Sequence, residues 1–160
     1  MTVGPLRNRI RIENRQRILP LDGRRVRGLV GRIMGILGLK GKEISVVLTD
    51  DEGIREINRL YLNRDRATNV ISFALNEGEF SGLNPEVLGD IVVSVETAAR
   101  DAASCGAPWE DELAFLLIHG LLHLLGYDHE GKNRAAAARM REEERRVFAA
   151  LRGYNPPSRT

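Results

Sequence analysis

The amino-acid sequence predicts a single α/β domain, from its length, its ordinary composition and an alternation of strand and helix patterns. At 160 residues the chain has a common size for one domain and can bury one substantial core. Hydrophobic residues make up 42% and charged residues 29%, which argues against intrinsic disorder. We therefore expect one domain over residues 1–154 and a flexible tail over residues 155–160.

The first half of the chain shows a β-α-β-α pattern. Residues 9–13 alternate polar and apolar side chains, as do residues 43–49, so both segments are predicted strands. Apolar residues recur at helical spacing over residues 26–37, which predicts an amphipathic helix that stops near Gly38 or Gly41. Thr49, with Glu52 three residues later, predicts a capping box for a helix that ends near Tyr61.

The second half adds two strands and three helices. Residues 69–75 and 90–95 are rich in β-branched and aromatic residues and are predicted strands. A helix over residues 97–105 is expected to end at Gly106. Pro108 then begins the next helix. The three acidic residues in its first turn should stabilise this helix, because their negative charge lies at the positive end of the helix dipole. A last helix is predicted over residues 133–151.

Positive charge is concentrated at the start of the chain. Residues 1–32 hold nine arginines against Glu13 and Asp22, a balance of +7, whereas the rest holds 15 basic and 20 acidic residues, or −5. This segment is either a contact for phosphate groups or the solvent face of an edge strand, where positive charge discourages aggregation. Both interpretations can hold together.

Secreted and membrane proteins are not indicated. The single cysteine, Cys105, has no partner for an intramolecular disulfide, and the first residues lack the apolar stretch of a secretory signal. The most apolar segment, residues 113–126, is too short to span a bilayer and contains two histidines. We expect a cytoplasmic protein with a buried helix in this segment and no membrane partner.

All the histidines of the chain, His119, His123 and His129, lie close together in the sequence. Residues four apart project from one face of a helix, so His119 and His123 can bind one metal ion. His129 would lie about 9 Å farther along a straight helix. We therefore expect Gly126 to end the helix in the left-handed conformation and to turn His129 back toward the pair. The prediction is one Zn²⁺ per chain, although another transition metal accepts the same ligands.

An open zinc site predicts hydrolytic chemistry. Three protein nitrogens leave the fourth tetrahedral position for water or substrate, and zinc lowers the pKa of bound water to about 7. The histidine spacing matches the H-E-x-x-H-x-x-G-x-x-H pattern of metzincin proteases, except that Gly120 replaces the glutamate that acts as general base. The substitution favours a phosphate ester over a peptide as the substrate of this metal-dependent hydrolase domain. The sequence does not identify a general acid or base.

The chain resembles the YbeY family of bacterial rRNA maturation factors. The resemblance rests on the segment from His119 to His129, on Thr-Asn-Val-Ile-Ser-Phe at residues 68–73 and on Leu-Gly-Asp-Ile at residues 88–91. It extends from about Ile44 to Tyr154. It implies an α/β (α+β) fold with a central mixed four-stranded sheet and flanking helices, in which a metzincin-like histidine-bearing helix lines a cleft.

The resemblance also implies a function. It implies a zinc-dependent endoribonuclease, specific for single strands, that acts in 3′-end maturation of 16S rRNA and in ribosome quality control. The expected partners are 16S rRNA or its precursor and the ribosome or small-subunit assembly proteins; DNA is not expected. Two alternatives stay open: a non-catalytic ribosome assembly factor with a structural metal, and a metzincin-like peptidase.

The chain departs from the family pattern at Leu62, where the family commonly has an arginine. Arg64 and Arg66 are candidates to bind substrate phosphate in its place, and they are equally well explained as solvated loop residues. Asp128, beside the third histidine, either orients an imidazole ring from outside the ligand set or accepts a backbone hydrogen bond in the turn.

Overall fold

The elements of the structure follow the predicted order. The computed structural model describes residues 6–75, 84–128 and 133–157. In this part of the chain the strands are β1 (Arg9–Asn14), β2 (Glu43–Thr49), β3 (Val70–Ala74) and β4 (Val87–Ser94). The helices are α1 (Gly23–Ile36), α2 (Asp51–Leu62), α3 (Val95–Cys105), α4 (Trp109–Leu124) and α5 (Arg134–Arg152).

Two local predictions are corrected by the structure. The capping box at Thr49 is wrong, because Thr49 is the last residue of β2 and the carboxylate of Asp50 accepts the hydrogen bond from the Gly53 amide at 2.8 Å. The strand predicted over residues 90–95 begins earlier, at Val87, and ends at Ser94. The Ser94 side chain caps α3, so Val95 begins the helix instead of ending the strand.

The predicted mixed sheet is confirmed. Its strand order is β1-β2-β4-β3, with β1, β2 and β4 parallel and β3 antiparallel to β4. β1 forms one edge, where Arg9 and Arg11 are exposed while Ile10 and Ile12 are half-buried. The structure therefore places Arg9 and Arg11 on the solvent side of an edge strand, whereas the effect of their charge on aggregation stays a prediction. β3 forms the opposite edge of the sheet.

The core determines where α4 lies. The main apolar cluster lies between one face of the sheet and helices α1, α3, α4 and α5. On the other face, Ile54 of α2 packs with Ile71 and Val92. Apart from its polar ends and the two histidines, α4 is apolar around most of its circumference, as expected of a buried helix. Within the ranges described above, no helix is both long and apolar enough to cross a membrane.

Candidate metal centre and cleft

His119 and His123 face each other on α4, near its C-terminal end. Their Nε2 atoms lie 3.1 Å apart, and their rings meet edge to face with centroids 4.6 Å apart. Two zinc–nitrogen bonds of about 2.05 Å at a tetrahedral angle would separate the nitrogens by about 3.3 Å. A hydrogen bond between the rings gives a similar separation, so the distance fits a shared metal without requiring one.

Gly126 reverses the chain after α4, as the sequence predicts. Its φ angle is +98°, in the region that favours glycine. The Tyr127 amide donates to the Leu122 carbonyl and the Gly126 amide to the His123 carbonyl, both at 3.0 Å, which is the Schellman pattern of helix termination. His129 lies outside the described residues, so its role as third ligand stays a prediction.

Glu144 supports His119 from the neighbouring helix α5. Its Oε1 atom lies 3.3 Å from Nδ1 of His119, and the side chains are 8% and 17% exposed, respectively. A carboxylate at this nitrogen favours the tautomer that carries the proton on Nδ1 and leaves the Nε2 lone pair for a metal. The pair His119 and Glu144 therefore has the arrangement of a metal-binding histidine with its orienting carboxylate.

The packing around Gly120 leaves little room for a side chain directly after the first histidine. A Cβ atom at this position would lie 2.9 Å from Cγ2 of Ile91 and 3.1 Å from Oγ of Ser72. The Ser72 hydroxyl also donates to the Gly120 carbonyl at 3.0 Å. Because α4 packs on β3 and β4 at this point, a larger side chain requires Ile91, Ser72 or the helix itself to shift.

The histidine pair opens into a cleft of about 670 Å³ between α4, β3 and the loop that follows α2. The predicted residues Arg64, Arg66 and Asp128 all line it together with His119 and His123. Arg66 also borders an acidic depression beside Asp50 and Glu52. The other lining residues are Asn58, Leu62, Thr68, Asn69, Val70, Ile71, Ser72, Ala74, Gly126 and Tyr127.

The loop that carries the two arginines is held by α2. The side-chain amide of buried Asn58 donates to the Arg66 carbonyl at 2.9 Å, and the Asn58 carbonyl accepts from the Arg64 amide at 3.2 Å. Arg55 binds Asp65 with Nε 2.8 Å from Oδ1. The hydrogen bond from Arg55 lowers the pKa of Asp65, so this carboxylate stays ionised and pairs with Arg55.

Comparison with known proteins relates most of the chain to one family. The model of the family described as "Endoribonuclease YbeY" matches residues 11–152. The chain belongs to this family. Proteins named "Endoribonuclease YbeY" from Geobacter sulfurreducens and Syntrophus aciditrophicus are each 51% identical to it. The alignments cover 89% of the chain and 95% of the Geobacter protein, and 91% of the chain and of the Syntrophus protein.

The fold is also that of a solved structure. The solution structure of a Thermotoga maritima protein superposes with a TM-score of 0.66 at 27% identity, covering 90% of this chain and 89% of that one. The predictions of the YbeY family, of an enzyme of the nuclease class and of the fold are confirmed by these comparisons. They do not bear on the metal or on the ligand set.

The structure adds two residues to the candidate site that the sequence alone did not indicate. Glu144 lies on the apolar stripe of α5, between Met140 and Phe148. A carboxylate in an apolar stripe is unusual, and this feature of the sequence could have identified Glu144 as a candidate functional residue. Asn58 is likewise a buried polar residue on the inner face of α2. Asp128 is exposed and lines the cleft, and both of its predicted roles stay predictions.

Proposed function

We propose that this chain is a zinc-dependent endoribonuclease, specific for single strands, that acts in the cytoplasm on the 3′ end of 16S rRNA and in ribosome quality control. The observation that carries the proposal is that His119 and His123 share one cleft with Arg64 and Arg66. The proposed cleavage of RNA rests on the relatives, which are named as endoribonucleases. The 16S substrate, the preference for single strands and the ribosomal partners rest on the family resemblance.

Zinc is proposed as the metal, with one ion per chain held by His119, His123 and His129. The imidazole donor set, the 3.1 Å between the two Nε2 atoms and the carboxylate at Nδ1 of His119 support this assignment. Bound zinc supplies a Lewis acid for water and for the phosphate group. Another transition metal would accept the same nitrogens.

The cleft arginines are proposed to bind the phosphate next to the cleaved bond. A guanidinium matches two phosphate oxygens at once and stays charged at every physiological pH. Leu62 lines the same cleft, so the arginine common in the family is replaced there by an apolar side chain. Arg64 and Arg66 enter the cleft from the next few positions, and Asn58 positions their loop.

The close packing of Gly120 favours phosphodiester over peptide cleavage. The glutamate that removes a proton from water in metzincin proteases is absent here, and its Cβ would lie 2.9 Å from the Ile91 side chain. Cleavage of a phosphodiester depends less on such a base, because the metal and cationic side chains can stabilise the charge that develops on the phosphate. Hydrolysis of casein by protein free of contaminating proteases would revive the peptidase alternative.

A cleavage assay tests the proposal. Single-stranded 16S rRNA fragments are incubated with the zinc-loaded protein, with the chelated protein and with a His123→Ala variant. We expect internal cleavage by the zinc-loaded protein alone. Absence of cleavage, or equal cleavage by the variant, contradicts the proposed activity.

The second candidate is a non-catalytic ribosome assembly factor with a structural metal, which Leu62 favours because the cleft lacks the family arginine. Complementation of a null strain separates the two candidates. Full rescue by a folded His123→Ala protein supports binding alone, whereas failed rescue by this folded variant supports catalysis.

A further inference from the structure

A second groove lies on the other side of His119 from the cleft. It has a volume of about 430 Å³ and runs between α5, Phe115 of α4 and the segment of residues 155–157. Arg141, Arg145 and the buried Glu144 supply its charged side chains. None of these residues was singled out from the sequence.

His119 of the cleft contacts two residues that line the groove, Glu144 and Phe115. Glu144 Oε1 lies 3.3 Å from His119 Nδ1, and the Phe115 ring stacks on the His119 ring with centroids 6.5 Å apart and an interplanar angle of 23°. Because Glu144 and Phe115 line the groove while His119 lines the cleft, a strand that crosses the histidines can reach both depressions.

Arg141 and Arg145 suit a phosphate backbone. They are one helical turn apart on α5, so their side chains lie on the same face, and both residues are exposed. Among the described residues, neither forms an ion pair, whereas Arg146 on the same helix binds Glu143. The carboxylate of Glu144 is directed at His119.

The remaining lining suits a nucleotide. Phe115 and the prolines at 156 and 157 supply apolar surface, and Asn155 adds an amide that can donate and accept hydrogen bonds. A positively charged groove with an aromatic side chain is the combination that binds single-stranded nucleic acid without reading its sequence.

We propose that this groove binds the phosphate backbone of the single-stranded RNA on one side of the cleaved bond, with Arg141 and Arg145 as the phosphate contacts. The inference rests on the proposed ribonuclease function. It assigns the cleft and the groove to consecutive parts of one substrate strand, on the two sides of His119.

Salt dependence of RNA binding tests the groove. Binding of fluorescein-labelled oligouridylates of about 4 and about 16 nucleotides is followed by anisotropy at several salt concentrations. Gel analysis verifies that the RNA stays intact during the measurement. The variants are Arg141→Gln with Arg145→Gln, and as a single-charge control Arg139→Gln, an exposed arginine of the same helix about 200° around its axis from Arg141.

Loss of two phosphate contacts should reduce the slope of log K against log salt by about 1.4 and raise the Kd for the longer RNA about 25-fold at 0.1 M salt. The effect should shrink on the shorter RNA, which is too short to occupy both depressions. Arg139→Gln should match the wild type, and circular dichroism should show that every variant is folded.

The outcomes separate this inference from the function on which it rests. If the wild type cleaves RNA and the double variant keeps the wild-type Kd and salt slope, the groove is not part of the RNA path, although the ribonuclease proposal survives. If the wild type neither binds nor cleaves single-stranded RNA, the proposed function and the inference both fail.

Discussion

The two edges of the sheet carry arginine in different ways. At the β1 edge, Arg9 and Arg11 lie exposed on a strand within the most basic part of the sequence. At the β3 edge, Arg64 and Arg66 lie in a loop of mixed charge, but they line one cleft with the histidine pair. The density of positive charge along the sequence therefore does not locate the candidate site.

What distinguishes the β3 edge is that separate elements converge there. Helix α4 presents His119 and His123, the loop after α2 presents the arginines, and β3 supplies the wall between them. The β1 edge has the charge without such a concave surface among the three depressions described. We expect substitutions at the two edges to have different effects.

The largest effect is expected for His123→Ala. Loss of a ligand should weaken zinc binding by more than the roughly 100-fold that loss of an orienting partner costs, and RNA cleavage should fall with it. Zinc content after dialysis and the cleavage rate measure both effects. Arg9→Gln with Arg11→Gln, at the opposite edge, is the control and should keep both at the wild-type level. Equal zinc content in His123→Ala and the wild type would remove this residue from the ligand set.

Glu144→Gln should have the next largest effect on the metal. The amide keeps the size of the side chain but loses the charge that favours the Nδ1 proton of His119, so zinc affinity should fall about 10- to 100-fold. Competition with a chromophoric chelator measures this affinity. Glu143→Gln, one residue away in an exposed ion pair with Arg146, is the control and should leave it unchanged. Identical zinc affinities for both variants would show that Glu144 does not support a metal ligand.

The arginine comparison can be made directly with two double variants of equal charge. Arg64→Gln with Arg66→Gln should reduce the salt slope of RNA binding by about 1.4 and raise the Kd about 25-fold at 0.1 M salt. Arg64→Gln should account for more of this loss, because Arg66 also borders the acidic depression. Arg9→Gln with Arg11→Gln serves as the control.

Titrations of the same labelled single-stranded RNA measure both variants. A larger loss at the β1 edge than at the β3 edge would reverse the comparison. It would then assign the phosphate contact to the basic N-terminal segment, which the sequence left as an open interpretation.

The smallest effect is expected at Gly120, and it concerns stability. Gly120→Ala places a Cβ against Ile91 and Ser72, which should lower the free energy of unfolding by about 1–3 kcal/mol. Gly28→Ala in α1 meets nothing within 4 Å and should raise it by up to about 1 kcal/mol. Denaturant unfolding measures both. Stabilisation by Gly120→Ala would mean that α4 does not pack on the sheet as closely as described.

Local sequence rules were sufficient to predict much of the fold and part of the candidate metal site. The i, i+4 spacing places His119 and His123 on one helix face, and glycine at position 126 provides the left-handed turn, so both features followed from a short segment. Alternation of polar and apolar residues identified β1 and β2, and enrichment in β-branched and aromatic residues identified β3 and β4. The N-cap of α2 was assigned to Thr49 instead of Asp50, because both residue types commonly cap helices. Which of the two caps α2 depends on where β2 ends.

Long-range contacts were beyond sequence reasoning. Glu144 meets His119 from 25 residues away, through the packing of α5 against α4. The placement of Arg64 and Arg66 in the cleft depends on the sheet order, in which β3 follows β4 at the edge. Neither contact follows from a repeat or a spacing that a single sequence displays. The tight packing at position 120 could not be predicted either, because it depends on Ile91 and Ser72 of the neighbouring strands.

The most direct test is a zinc titration of the chelated wild-type protein, with bound zinc and the cleavage of a labelled single-stranded RNA measured on the same samples. We expect the cleavage rate to rise with bound zinc and to level off at one zinc per chain. His123→Ala should stay near zero in both measurements. Full cleavage by the chelated wild-type protein, or wild-type cleavage by His123→Ala, would contradict a metal-dependent ribonuclease site in this cleft.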